Sequence, residues 1–145
     1  MTAKIIKRFN LRINSNTKNI KMEIVCSTDS KYIMPTGIML TSLFESNRGE
    51  VVNVHLLHDQ DSAALLDSIR TIAARYQQNI HFYLINDDIF KHFPIGLDFQ
   101  VDHVGTSFAT YYRLYLTEIL PADIDKVIYL DGDIPVSYTH LRAHE

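Results

Sequence analysis

From residue 22 onward, short apolar runs alternate with stretches whose apolar positions recur every three or four residues. Residues 22–27 (MEIVCS) have the unbroken apolar character of a strand buried on both faces, and Thr28-Asp29-Ser30 is the turn that ends it. The spacing predicts a helix over 32–44 with Pro35 in its first turn, where a missing N–H costs nothing. Ser46-Asn47-Arg48-Gly49 closes that helix, and residues 51–57 form a second strand. Asp61 or Ser62 is placed to cap a second helix, whose Leu65, Ile69, Ile72 and Tyr76 keep the 3–4 spacing. Residues 80–85 (IHFYLI) predict a third strand, and 86–105, with Pro94 and Gly96, are irregular. A further helix is expected over 108–119, broken by Pro121-Ala122-Asp123. A short strand over 126–130 (KVIYL) then runs directly into Asp131-Gly132-Asp133. Strands alternating with helices predict an α/β fold: a mainly parallel sheet with helices on both faces.

Composition narrows the class. The chain has 145 residues, 46% of them hydrophobic, and a net charge of −3. Those values suit one globular domain, and no apolar run reaches the ~20 residues that span a bilayer. The single cysteine, Cys26, excludes a disulfide framework and a cysteine-based zinc site. The charge is unevenly spread. Residues 1–21 carry six basic side chains (Lys4, Lys7, Arg8, Arg12, Lys18, Lys21) and no acid, so the remainder is strongly acidic. An acidic body argues against nucleic acid as a partner, because phosphate neutralisation needs clustered Lys and Arg. The basic arm is read as a solvated extension that could make peripheral contact with an anionic membrane. The expected location is the cytoplasm, including the inner face of the cell membrane.

In an open parallel sheet, ligands bind beyond the carboxyl ends of the strands. Two polar clusters fall there, Ser27-Thr28-Asp29 and Asp131-Gly132-Asp133, about a hundred residues apart in sequence yet on one rim if the strands are parallel. Two carboxylates flanking one small residue can face a divalent cation, and Gly132 permits a tight backbone path. Carboxylate oxygens suit Mg²⁺ or Mn²⁺, which can bridge the oxygens of a diphosphate. An ordinary Asp-Gly turn is the competing reading. Asp29 can bind a base or ribose, or cap the helix near Tyr32; taken alone, the cap is favoured. Arg113, among aromatic and aliphatic neighbours, suits a phosphate or a carboxylate, or packs its stem while its head reaches water. His55 and His58 are three apart on a strand and point to opposite faces, so they cannot chelate one ion. Tyr111, Tyr112 and Tyr115 read as core. The chain contains no G-x-G-x-x-G, no P-loop and no G-x-S-x-G.

Three segments taken in order, MEIVCSTDSKYIMPTGIMLTSL, TSFATYYRLYLTEILP and DKVIYLDGDI, resemble the N-terminal half of the family 8 retaining glycosyltransferases, which include glycogenin and bacterial lipopolysaccharide galactosyl- and glucosyltransferases. The basic extension is closer to the lipopolysaccharide-core enzymes. The resemblance implies a GT-A-like nucleotide-diphospho-sugar transferase fold, truncated. It implies a UDP-sugar donor, a glycan or lipopolysaccharide-core acceptor, and Mn²⁺ (or Mg²⁺) held by Asp131 and Asp133. It also implies that Ser27, Thr28 and Asp29 line the uridine pocket and that Lys31 and Tyr32 make further nucleotide contacts. Arg113 would reach the diphosphate-sugar, with Asp131 and Gly132 beside the nucleotide-sugar. Lys31 departs from the Asn often found there. No residue is assignable as nucleophile.

The resemblance runs over residues 22–134, after an extension at 1–21. Residues 135–145 lack strand or helix logic, and VSYTHLRAHE is similar to the translation of a sequencing adapter, so this tail is expected to be non-native. His140 and His144 are therefore not assigned to the family's third metal ligand, which lies in its C-terminal half. A fragment inactive on its own is the expectation. The alternatives are a haloacid-dehalogenase-like phosphohydrolase, whose strand also ends in D-x-D, and a non-catalytic nucleotide-binding fragment.

Overall fold

A computed structural model describes residues 21–59, 61–92 and 108–136. The extension up to residue 20, most of the irregular stretch before 108 and the tail from 137 lie outside the described residues. Four parallel strands, β1 (Lys21–Thr28), β2 (Val51–His58), β3 (Asn79–Leu84) and β4 (Ile128–Tyr129), form one sheet in the order β3-β2-β1-β4. Pairing runs the whole length of β1 and β2, from Lys21 opposite Val51 to Thr28 opposite His58, whereas β4 meets β1 only at Ile24–Ile128 and Val25–Tyr129. The expected strand over 126–130 is thus reduced to two residues. β1 in turn starts at Lys21, inside the segment read as extension, where Lys21 Nζ pairs with Glu23 at 3.1 Å.

The two faces of the sheet bury different cores. Even-numbered residues of β1 and β2 (Ile24, Cys26, Val52, Val54, Leu56) pack against α1 (Ile33–Ser46) and α2 (Leu66–Arg75) through Met39, Leu40, Leu43, Phe44, Leu66, Ile69 and Ala73. Each large apolar side chain so buried contributes about 1.5–3 kcal/mol. The opposite face buries Val25, Leu57, Phe90 and Tyr112, with Tyr111 and Tyr115 packed around them, as expected of these tyrosines. Its cover consists of short 3₁₀ turns, Asp87–Phe90, Phe108–Thr110 and Tyr112–Tyr115, and one turn of helix, α3 (Leu116–Ile119). The continuous helix expected over 108–119 is therefore a chain of single turns. Aromatic residues at 3–4 spacing satisfy either geometry, because both present one face every three or four positions.

Helix ends follow the local chemistry. Gly49, with φ at +93°, takes the left-handed turn between α1 and β2. α2 ends with Gln77 in the left-handed region (φ +56°); Gln77 N donates to Ala73's neighbour Ala74 at its carbonyl, and Gln78 N donates to Ala73 O at 3.0 Å. Neither Asp61 nor Ser62 caps the second helix through its side chain; Asp59 Oδ1 accepts from Ser62 N at 2.8 Å instead.

His55 and His58 lie on opposite faces and are both buried. His55 Nε2 is 2.9 Å from Glu23 Oε2 and its Nδ1 is 2.9 Å from the Tyr83 hydroxyl, while Asn53 Nδ2 donates to Glu23 Oε1 at 2.9 Å. Burial by itself would raise the Glu23 carboxyl, but hydrogen bonds from His55, Asn53 and Lys21 outweigh it and hold the group below its ordinary value of 4.5. A lowered folded-state value stabilises the fold above the unfolded-state value, and that contribution is lost as pH falls through the folded one. Urea unfolding of wild type and Glu23→Gln should therefore show the largest wild-type advantage above pH 4.5, shrinking as the pH is taken down towards 3. A constant difference across that range would contradict the assignment.

Candidate functional site

β1 is the point at which the strand order reverses, with β2 on one side and β4 on the other. Such a switch point leaves a crevice at the carboxyl ends of the strands. The residues singled out from sequence at the ends of β1 and β4 meet here. Leu130 N donates to Val25 O at 2.8 Å, extending the strand pairing by one bond before the chain turns at Asp131. Ile134 N donates back to Asp131 O at 3.3 Å, which closes the Asp131-Gly132-Asp133 loop. Asp131 and Asp133 both stay exposed.

At the end of β1, Asp29 is 6% exposed and its Oδ1 accepts from Lys31 N and Tyr32 N, each at 2.9 Å. Asp29 thus organises the turn that leads into α1 through one carboxylate oxygen, but the N-cap position is Tyr32 and no side chain caps the helix, so the reading of Asp29 as its N-cap is not borne out. Thr28 is fully buried; its Oγ1 accepts from Thr36 Oγ1 at 3.1 Å. Ser27 Oγ and the Tyr129 hydroxyl share a 2.5 Å hydrogen bond across β1 and β4. Lys31 is exposed and Tyr32 half-buried, both in the turn beyond Asp29.

Arg113 lies in the turn Tyr112–Tyr115 and reaches this rim. Its Nη2 is 3.3 Å from Asp131 Oδ1, its Nε donates to Thr110 O at 3.0 Å, and its guanidinium carbon stands 5.0 Å from the centre of the Tyr129 ring. Burial pushes the Tyr129 phenol above its ordinary value, partly offset by the Ser27 hydrogen bond and the Arg113 charge. The structure therefore brings Ser27, Asp29, Arg113 and Asp131 to one rim. Tyr129 and Thr36 were not identified from sequence. Tyr129 stands two residues before Asp131, hence on the same side of an extended chain, and that period-2 relation was the available signal. Thr36 carried none.

Gly132 owes its place to a close approach, not to a special backbone angle: its φ is not in the left-handed region. A Cβ there would stand 2.5 Å from Thr36 Oγ1 and 3.4 Å from Ser27 O. The loop thus lies directly on the first turns of α1. Beyond it, Val136 is buried in the first core, where Ser42 Oγ accepts from Val136 N at 2.8 Å and Ser46 Oγ donates to Val136 O at 3.1 Å. The chain is packed against α1 two residues past position 134.

Asp131 and Asp133 are hard oxygen donors and fit a divalent cation that keeps further positions for phosphate oxygens or water. Among the described residues, no group of three or more His, Cys, Asp or Glu side chains could hold an ion. Asp131 and Asp133 offer two carboxylates to such an ion.

A sequence model of glycosyl transferase family 8 matches residues 23–142. The chain belongs to that family. Among relatives of this family 8 chain, the lipopolysaccharide glucosyltransferase WaaO of Escherichia coli K12 is 27% identical over 121 residues, covering 81% of the chain and 33% of the relative. The lipopolysaccharide 1,3-galactosyltransferase of Salmonella typhimurium LT2 is 24% identical over 114 residues, covering 79% and 32%. The chain thus spans about a third of the length of these curated relatives. Its structure is similar to that of the galactosyltransferase LgtC, solved with donor and acceptor sugar analogues, at a TM-score of 0.65 and 32% identity over 83% of this chain and 41% of LgtC. The fold is accordingly of GT-A type. Family 8 membership also sets aside the phosphohydrolase alternative.

The clash distance at Gly132 yields a test of how tightly the loop is seated. Gly132→Ala should destabilise the fold by about 1–3 kcal/mol, the usual cost of overpacking. Adding Thr36→Ala should recover part of that loss, measured by urea unfolding. Equal stability of Gly132→Ala and wild type would mean that the loop is not held against α1.

Proposed function

We propose that this chain forms the nucleotide-sugar-binding part of a metal-dependent retaining glycosyltransferase. The enzyme moves a hexose, galactose or glucose, from a UDP-sugar to a glycan acceptor of the lipopolysaccharide-core type. The observation that carries this reading is the convergence of Asp29, Arg113 and Asp131 at the switch point, from three distant parts of the chain. The relatives' own activities on lipopolysaccharide support the acceptor class.

On this reading Asp131 and Asp133 would hold Mn²⁺ or Mg²⁺, which supplies Lewis-acid stabilisation to the leaving diphosphate. Arg113 offers the diphosphate a fixed positive charge in a site where negative charge grows as the glycosidic bond breaks. Asp29, immobilised through Oδ1, would offer its remaining oxygen to the nucleoside, with Ser27, Lys31, Tyr32 and the backbone of the buried Thr28 around it. Gly132 lets the loop settle on α1, so that both neighbouring carboxylates face outward. Residues before 21 would carry any contact with an anionic membrane at the cytoplasmic side; no helix among the described residues is long and apolar enough to cross a bilayer.

Donor binding is the property to measure on the 145-residue chain. UDP should bind more tightly with Mn²⁺ than without, and Asp131→Asn combined with Asp133→Asn should weaken the Mn²⁺-dependent part roughly 10-fold or more. Calorimetry showing identical UDP binding by wild type and the double variant would favour a nucleotide-binding fragment whose Asp-Gly turn is structural.

A further inference from the structure

The sequence motif draws the eye to Asp131 and Asp133, but the contact that organises the rim is the one beneath Arg113. An arginine on a single 3₁₀ turn, with its side chain 44% exposed, has many rotamers available. Its ion pair with Asp131, at 3.3 Å between half-exposed groups, is too weak to select one of them. Three other features restrict it. Tyr112, in the same turn, is fully buried and anchors the turn in the second core. Thr110 O accepts from Nε and fixes one edge of the guanidinium. Its guanidinium carbon lies over the Tyr129 ring, 5.0 Å from the ring centre. The ring is itself held: β4 pairs Tyr129 with Val25, the ring packs in the second core, and its hydroxyl is hydrogen-bonded to Ser27.

We propose that Tyr129 is a positioning residue, whose ring is the platform that keeps the Arg113 guanidinium beside Asp131 and aimed at a bound diphosphate. A planar, delocalised cation stacks on an aromatic face where an ammonium does so less well, and the contact leaves its edges available for oxygens. Nη1 is in neither of the hydrogen bonds to Thr110 and Asp131, so it is the atom best placed for an incoming phosphate oxygen. Ser27, within the wall of the nucleotide pocket, orients the ring from the opposite strand, which makes the platform continuous with the pocket. The diphosphate part of this inference rests on the function proposed above; the stacking part does not.

The test separates the two. In wild type, proton NMR should show cross-relaxation between the Arg113 side chain and the Tyr129 ring, with the Arg113 Nε–H resonance shifted upfield by the ring current. Tyr129→Leu should return that resonance to the position of a solvent-exposed arginine, and Tyr129→Phe, which restores the ring without the hydroxyl, should bring the shift back. In the presence of Mn²⁺, Tyr129→Leu should weaken UDP binding roughly 2- to 5-fold while leaving uridine binding unchanged, and should have no further effect in an Arg113→Ala background. Wild type lacking the Arg113–Tyr129 cross-relaxation overturns the proposal, whatever the stability of the variants. So does an equal loss of UDP and uridine binding in Tyr129→Leu, which would mark a merely structural role. A wild type that shows the stacking but binds no UDP refutes the proposed function and with it the diphosphate role, while leaving the platform itself standing.

Discussion

Two bridges between β1 and β4, Ile24 with Ile128 and Val25 with Tyr129, decide where the Asp131-Gly132-Asp133 loop stands, because the chain leaves the sheet immediately beyond them. The rest of the rim depends on this short pairing. β1 is secured along its whole length by β2, so it presents a rigid edge against which two residues suffice. The far end of the loop is secured differently. Val136 enters the core under α1, and its backbone N–H and C=O are both taken up by serine hydroxyls of that helix. Held at both ends and pressed on Thr36 in the middle, the loop can expose two carboxylates without depending on their charges for its own position.

The parts of this arrangement that were legible in the sequence are those where burial imposes a period. β1 to β3, α1 and α2 each repeat apolar residues at the spacing of their own geometry over eight or more positions, or over a complete strand. Residues 108–119 show the limit of that logic: Phe108, Tyr111, Tyr112, Tyr115, Leu116 and Ile119 occupy one face in an α-helix and nearly so in successive 3₁₀ turns. Pairing length is likewise invisible in an apolar run, so KVIYL reads as a five-residue strand although only Ile128 and Tyr129 are paired. Within the site, charged residues at strand ends stood out, whereas Tyr129 and Thr36 did not. Each looks like ordinary core or helix surface until the partner strand or loop is in place.

Asp29 shows why competing readings of one residue need not exclude each other. The helix-entry turn calls for an acceptor at this position, and on the proposed function a nucleotide would call for one too, but on a different atom. Oδ1 receives two backbone N–H groups of the turn before α1, Lys31 N and Tyr32 N, which fixes the plane of the carboxylate. A carboxylate already immobilised by the fold loses little further freedom on binding, so the structural role favours the ligand-binding one.

The same separation of duties governs the charges. The Arg113–Asp131 pair is half-exposed and worth about 0–1 kcal/mol, so Asp131 can exchange its partner at little cost. Arg113 also has the Thr110 carbonyl on its Nε and the Tyr129 ring beneath its guanidinium carbon, contacts that do not involve Asp131. If a divalent cation takes over Asp131, the guanidinium keeps its place and becomes a second positive group beside the first, without the pair having to be broken by a movement of the turn. A weak ion pair between two anchored groups thus leaves Asp131 able to trade Arg113 for a cation, and a divalent ion there would turn the Asp131, Asp133 and Arg113 cluster from net negative to net positive, the sign that a diphosphate leaving group would call for.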